Sequence, residues 1–222
     1  MMRRENISTC HELMAVIEEM GFLPLLSSGI AGFSAEEMVD EDCRYVTFDD
    51  GGWDWPMWKW KGPIITEGDC VYGKFFASKA GFVSRRWWND FCNWRRSLSA
   101  EPAEGSIEQA ILLTLQEHRS LITRELRALC GFTGPKMRSR FDSYVTRLQM
   151  QCRIVTEDFI YPHDRHGKEY GWGWSLLTTP ELLLGPEACQ CEHSPEQSRH
   201  LILEHLVNVV PGASESQLAK LL

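Results

Sequence analysis

Apolar positions recur at helical spacing in several separate stretches of this chain, and two stretches alternate instead. Thr9-Cys10-His11-Glu12 is a capping box, and Leu13, Val16, Ile17 and Met20 behind it share one face. Gly21 is placed to end that helix. Ser34-Ala35-Glu36-Glu37 repeats the capping pattern and predicts a short helix. Trp53, Trp55, Trp58 and Trp60 are spaced by two, three and two, which fits neither period. With Pro56 and Gly62-Pro63 in the same stretch, the expectation is a loop-rich segment with short extended pieces. Residues 71–76 and 81–83 read as strands. Residues 87–96 read as a helix with Trp87, Trp88, Phe91 and Trp94 on its apolar stripe. The small and polar residues of 97–105 read as a linker.

The clearest pattern follows, over 106–177. Ile107, Ala110, Ile111, Thr114, Leu115 and His118 fall at the helical period. A second helix is expected over 120–130, capped by Ser120 or Thr123, with Leu126 and Leu129 inward and Gly131 stopping it. Gly134-Pro135 opens a third, whose buried face is Met137, Phe141, Tyr144, Val145 and Leu148. Lys136, Arg140, Ser143 and Arg147 form a separate stripe about a third of a turn away. Residues 153–161 are rich in β-formers, and Asp164-Arg165-His166-Gly167-Lys168 is a turn. Tyr170, Trp172, Trp174 and Leu176 then alternate with Gly171, Gly173 and Ser175, as a half-buried return strand does. Helix, helix, long helix and hairpin is the order of a winged helix-turn-helix. The expected fold class is α+β and helix-rich. A Trp-rich α+β domain is expected over 1–99 and a winged helix-turn-helix domain over 106–185. A C-terminal helical pair over 193–222, capped at Ser194 and Ser214, has the form of the beginning of a second helix-turn-helix.

Composition changes this picture little, and charge changes it more. Hydrophobic residues make up 43% of the chain, enough for a packed core. No run of eighteen apolar residues exists, so no membrane span is expected. The polar opening Met1-Met2-Arg3-Arg4-Glu5 does not read as a signal peptide. Eight scattered cysteines without a CxxC pair then read as reduced, buried and cytoplasmic. A net charge of -8 argues against a general nucleic-acid binder unless basic charge is concentrated locally. It is: residues 36–54 hold eight acids against Arg44, whereas residues 72–96 hold six bases against Asp90. Residues 106–174 hold ten bases and eight acids.

The basic stripe of the third helix is the strongest candidate for chemistry. A helix entering the major groove needs bases and short polar groups outward, and Lys136, Arg140, Ser143 and Arg147 supply them. Arg138 flanks the stripe, and Arg165 and Lys168 at the wing tip can reach phosphates. Double-stranded DNA is the partner this implies. The competing readings are a solvated helix face and a protein-interaction module. Aromatic residues interleaved with bases can stack on nucleobases. Nine tryptophans more often build a core, and that reading is preferred for most of them. Trp53, Trp55, Trp58 and Trp60 remain open. Cys189-Gln190-Cys191-Glu192-His193 offers three soft ligands but lacks a fourth, so a loop is favoured and no metal is assigned. His163 and His166 flank a turn and are expected to face solvent. Asp54, Glu67 and Asp69 are carboxylates that nothing in the sequence pairs. No GxSxG, phosphate-binding loop or HExxH pattern occurs, and no cofactor is implied.

Two blocks of residues carry a resemblance. The first comprises Gly21-Phe22-Leu23-Pro24-Leu25, Gly32-Phe33-Ser34, Trp58-Lys59-Trp60, Tyr72-Gly73-Lys74-Phe75-Phe76, Lys79-Ala80-Gly81-Phe82-Val83 and Asn93-Trp94-Arg95-Arg96. The second comprises Leu148-Gln149-Met150-Gln151, Asp158-Phe159, Tyr170-Gly171-Trp172 and Thr179-Pro180-Glu181. Together they resemble the AlkZ-related proteins, over the chain up to about Gly185. The resemblance implies kinship with DNA glycosylases built from winged helices, which excise damaged bases with a Gln-x-Gln motif. Gln149-Met150-Gln151 has that form, so the resemblance makes Gln149 and Gln151 the catalytic candidates. A glycosylase extrudes a base, stabilises an oxocarbenium-like sugar and positions a water, which a glutamine can orient. The continuation after Arg96, Ser97-Leu98-Ser99-Ala100-Glu101, departs from the family's pattern. The alternative function is a non-enzymatic transcriptional regulator or interaction module.

Overall fold

The computed structural model describes residues 5–49 and 51–222. Asp50 of the acidic run and the opening residues 1–4 lie outside the described residues. Helix α1 (Cys10–Met20) starts at the expected capping box: Thr9 Oγ1 accepts from the Glu12 backbone, and the Glu12 carboxylate accepts from Thr9. Gly21 ends it at φ 77°, where a side chain would also strike Trp87. Strand β1 (Phe22–Pro24) and the short helix α2 (Ala35–Met38), capped by Ser34, follow. A small ribbon pairs β2 (Val46–Thr47) with β3 (Trp53–Asp54).

The Trp-rich stretch corrects the loop expectation. Pro56–Glu67 is a helix, α3, with Pro56 in its first turn and Pro63 inside it. Its buried face is Met57, Lys61, Ile64 and Ile65, spaced four, three and one. A lysine in a core position hid the stripe, and Gly62-Pro63 imitated a breaker. Tertiary packing outweighs the hydrogen bond that Pro63 cannot donate.

Strands β4 (Cys70–Phe76) and β5 (Lys79–Ser84) form a hairpin, and α4 (Arg85–Ser97) runs on directly. Then come α5 (Ile107–His118), β6 (Leu121–Ile122), α6 (Thr123–Leu129), a 3-10 turn at Pro135–Met137 and α7 (Arg138–Met150). Strands β7 (Val155–Ile160) and β8 (Trp174–Thr178) pair, and β6 adds to β8. Helices α8 (Pro180–Leu184), α9 (Pro195–Val209) and α10 (Glu215–Leu221) complete the chain. The molecule mixes helix and sheet. Some details differ from expectation. Helix α6 is capped neither by Ser120 nor by Thr123: its N-cap is Ile122, in β6, with no side-chain cap bond. Leu129 is exposed, so α6 buries only Leu126. Strand β8 starts at Trp174, because Gly171 and Gly173 sit at φ 78° and 74° and break the extended run before it.

One antiparallel sheet unites these pieces, in the order β1-β5-β4-β7-β8-β6. The joint between its halves is a single register pair, Tyr72 opposite Thr156. Two cores lie on it. The larger gathers α1, α3, the β4–β5 hairpin and α4, and includes Leu203, Leu206 and Leu218 from α9 and α10. The smaller holds Ile111, Leu115, Leu126, Phe141, Val145, Leu148 and Leu177. Of the tryptophans, Trp88 and Trp94 are buried, Trp55, Trp58, Trp60, Trp87 and Trp174 are half-buried, and Trp53 and Trp172 are exposed. Among the described residues no helix is long and apolar enough to cross a membrane.

The larger core contains one ionisable anomaly. Lys61 is fully buried, and its Nζ has no hydrogen-bond partner among the described residues. The Nζ lies 3.3 Å from the Trp58 ring centroid and 3.8 Å from that of Phe159. Ring faces favour an ammonium, but burial outweighs them and lowers the Lys61 pKa to about 6. At neutral pH the amine is therefore mostly uncharged.

The expectation of eight reduced thiols fails for one pair. Cys92 of α4 and Cys189 are joined in a disulfide, their Cα atoms 5.5 Å apart. Their sequence separation of 97 conceals this proximity. Burial pushes the free thiols of Cys70 and Cys152 up to about 12, which makes them poor nucleophiles.

Candidate nucleic-acid interface

Helix α7 packs Phe141, Val145 and Leu148 against α5 and α6 and turns its opposite side outward. That outward side carries the stripe read from the sequence. Lys136, Arg138, Arg140, Ser143 and Arg147 are all exposed. Lys136 and Arg140 make no side-chain hydrogen bond or ion pair among the described residues. Arg138 is 4.0 Å from Asp142, one turn along. Arg147 is bound 2.7 Å from Glu108 of α5, so its charge is partly spent. Ser143 Oγ donates to the Ser139 carbonyl at 2.8 Å and is exposed. The N-terminal half of α7 is thus the more available end.

Residues from the first half border this face. Lys74 of β4 donates from Nζ to Thr146 Oγ1 at 3.1 Å. Ser78, in the tight β4–β5 turn, and Met150 close the far side of a shallow cleft of about 420 Å³ that also touches Ser143 and Arg147. The basic residues of 72–96 otherwise point elsewhere. Lys79 donates to the Ser27 carbonyl, Arg85 pairs with Asp69, and Arg86 reaches the Glu18 carbonyl. Arg95 and Arg96 hold the carbonyls of Met150 and Cys152 behind the end of α7. Only Lys74 among them joins the α7 side.

Residues of the β7–β8 turn are exposed. Asp164 accepts from the backbone of His166 and Lys168 and shapes the turn. These bonds hold its carboxyl below the usual range. Arg165 and Lys168 project from it into solvent, as do His163 and His166. The base of the turn is clamped: Trp58 Nε1 donates to the Trp172 carbonyl at 3.0 Å, and Trp172 stacks on Trp53 at 4.8 Å. The end of the acidic run, at Trp53, thereby lies against the base of the turn. Its Asp54 pairs with Lys59 of α3.

The two glutamines do not share one environment. Gln149 is buried, and its Oε1 accepts the Lys74 backbone N–H at 2.7 Å. It stitches α7 to β4 beside the sheet joint. Gln151 is the C-cap of α7 and half-buried, with no side-chain hydrogen bond among the described residues. Sequence reasoning missed Lys74, Thr146 and Ser78 as neighbours of the α7 face. Their separation of about seventy residues leaves no local signal.

A family model described as AlkZ related matches residues 7–222. The match runs past Gly185 to include α9 and α10, further than the motifs alone indicated. No curated protein and no solved structure matches the chain.

Proposed function

The chain belongs to the AlkZ-related family, and on that premise we propose that it is a winged-helix protein that binds double-stranded DNA through α7 and the β7–β8 turn. Family membership relates it to DNA-repair glycosylases. The order α5, β6, α6, α7, β7, β8, with β6 added to the hairpin, supports the winged-helix reading. The observation that carries the DNA reading is the exposed start of the third helix, where Lys136 in the 3-10 turn and Arg140 in α7 are left without a side-chain hydrogen bond or ion pair among the described residues. Short polar Ser143, about one turn beyond Arg140, lets a groove edge approach. Arg165 and Lys168 are the residues placed for flanking phosphates.

Fluorescence anisotropy with a labelled duplex tests this at low salt. The double variant Lys136→Glu with Arg140→Glu, on an exposed face, is expected to weaken binding about tenfold or more without changing the circular dichroism. Undetectable binding by the wild-type chain, or equal binding by the variant, would sink the proposal.

A second reading is favoured by a specific contact. Gln149 spends its amide oxygen on Lys74 inside the protein, which supports a module that binds without releasing a base. Base release from alkylated duplexes, scored as abasic sites, separates the two. Release that disappears in Gln151→Ala, with the fold intact, supports the glycosylase reading. Absence of release from bound duplex supports the module.

A further inference from the structure

Helix α4 turns three polar side chains, Asn89, Asp90 and Asn93, toward the segment that precedes α9. Asn89 Nδ2 donates to the Gln190 carbonyl at 2.8 Å and Asn93 Nδ2 to the His193 carbonyl at 2.9 Å. The Cys92–Cys189 disulfide fastens the same segment one residue further back. The loop is thus held at both ends, and between its anchors three ligand atoms converge. Asp90 Oδ1 lies 2.8 Å from His193 Nδ1 and 3.3 Å from Cys191 Sγ, and Sγ lies 3.8 Å from Nδ1. From these distances we infer that Asp90, Cys191 and His193 form a binding site for a divalent transition ion, with zinc as the best-fitting class.

The triangle itself is the argument. Zinc bonds of about 2.0 Å to oxygen and nitrogen and about 2.3 Å to sulfur give tetrahedral edges of about 3.3–3.6 Å. Each observed edge needs to change by only about 0.5 Å or less to become one face of that tetrahedron. A nucleophilic relay fits less well. There the imidazole holds its two partners on opposite nitrogens, whereas here carboxylate and thiol approach the same one. The surroundings are those of a metal site. Ser198 is fully buried, donates to Asp90 Oδ1 at 2.7 Å, accepts from Asn93 at 3.0 Å and lies 3.6 Å from Cys191 Sγ, so it orients the carboxylate through the same oxygen. The fourth position opens onto a cleft of about 500 Å³ bordered by Glu187 and Glu192, with room for a water. Three protein ligands and one open position is the arrangement of reactive zinc sites more than of purely structural ones. Binding releases the Cys191 proton to solvent as the metal–sulfur bond forms.

Cobalt(II), then zinc(II), added to the full-length, disulfide-intact chain after chelator treatment tests the site. The expected result is one equivalent of cobalt, a thiolate-to-cobalt charge-transfer band, intense tetrahedral d–d bands, and loss of all three when zinc displaces it. Cys191→Ser should abolish the charge-transfer band while Cys130→Ser keeps it. His193→Ala, at a half-exposed residue, should weaken cobalt affinity at least about tenfold, as should Ser198→Ala by releasing the carboxylate. Circular dichroism of each variant separates lost binding from lost fold. No saturable cobalt binding by the wild-type chain would overturn the assignment. So would a charge-transfer band that survives Cys191→Ser, or unchanged affinity in folded His193→Ala.

Discussion

Gln149 sits where two roles compete for one amide. Its Oε1 closes a hydrogen bond to Lys74 across the helix–sheet contact. Gln149→Ala therefore leaves a backbone donor short of its acceptor, and a loss of about 1–3 kcal/mol is expected in urea unfolding. A variant as stable as wild type would mean that water replaces the bond. Lys61 makes the second residue-scale prediction. Its folded pKa of about 6 lies below the unfolded value of about 10.4. Between those values the unfolded chain binds a proton that the folded one does not, so this residue makes stability rise with pH through that window. Below pH 6 both states carry the proton and its full cost is present. Lys61→Met should stabilise the protein by about 1–4 kcal/mol near neutral pH, less toward pH 10. Urea midpoints for both chains across that range check it, and a gain that grows with pH would contradict the sign. The sequence shows Lys61 as one more base beside tryptophans; only the fold reveals it as a core residue.

At the scale of elements, what could be read locally was read well. The starts of α1, α2, α9 and α10 follow from Ser or Thr caps three residues before Glu or Gln, because a cap is satisfied within one turn. The outward stripe of α7 was legible for the same reason: it depends on helical period alone. Helix α3 was not legible, since its stripe is completed by Lys61 and exists only against the core it packs on. Strand β8 was read too long, because alternation in Tyr170 to Trp174 survives in sequence while two left-handed glycines cancel it in space. The clamp between α3 and the β7–β8 turn makes a further prediction. Trp58→Phe removes the donor to the Trp172 carbonyl, and trypsin should then cut at Arg165 or Lys168 several-fold faster under native conditions. An unchanged cleavage rate would show that the stacking of Trp172 on Trp53 is sufficient alone.

Across the whole molecule, the two halves share a sheet through one register pair, and the larger of the two cores also takes Cys152 and Val155 from the second half. Trp53, near the end of the acidic run, lies against Trp172 at the base of the β7–β8 turn, while Lys136 and Arg140 face solvent. A net charge of -8 is thereby compatible with a local basic face. The convergence of Asp90 with Cys191 and His193 belongs to this scale too. Its members lie 101 and 103 residues apart, so the pentapeptide containing Cys191 and His193 looked one ligand short.

The most direct test of DNA recognition by α7 is the slope of log binding constant against log salt for a short duplex. Six bases are available, of which Arg138 and Arg147 are partly neutralised. A wild-type slope of about −3 or steeper is expected, at about −0.9 per phosphate engaged. Reversing Lys136 and Arg140 should flatten it by about two units. A wild-type slope flatter than about −1, or one that the double reversal leaves in place, would contradict DNA binding through this helix.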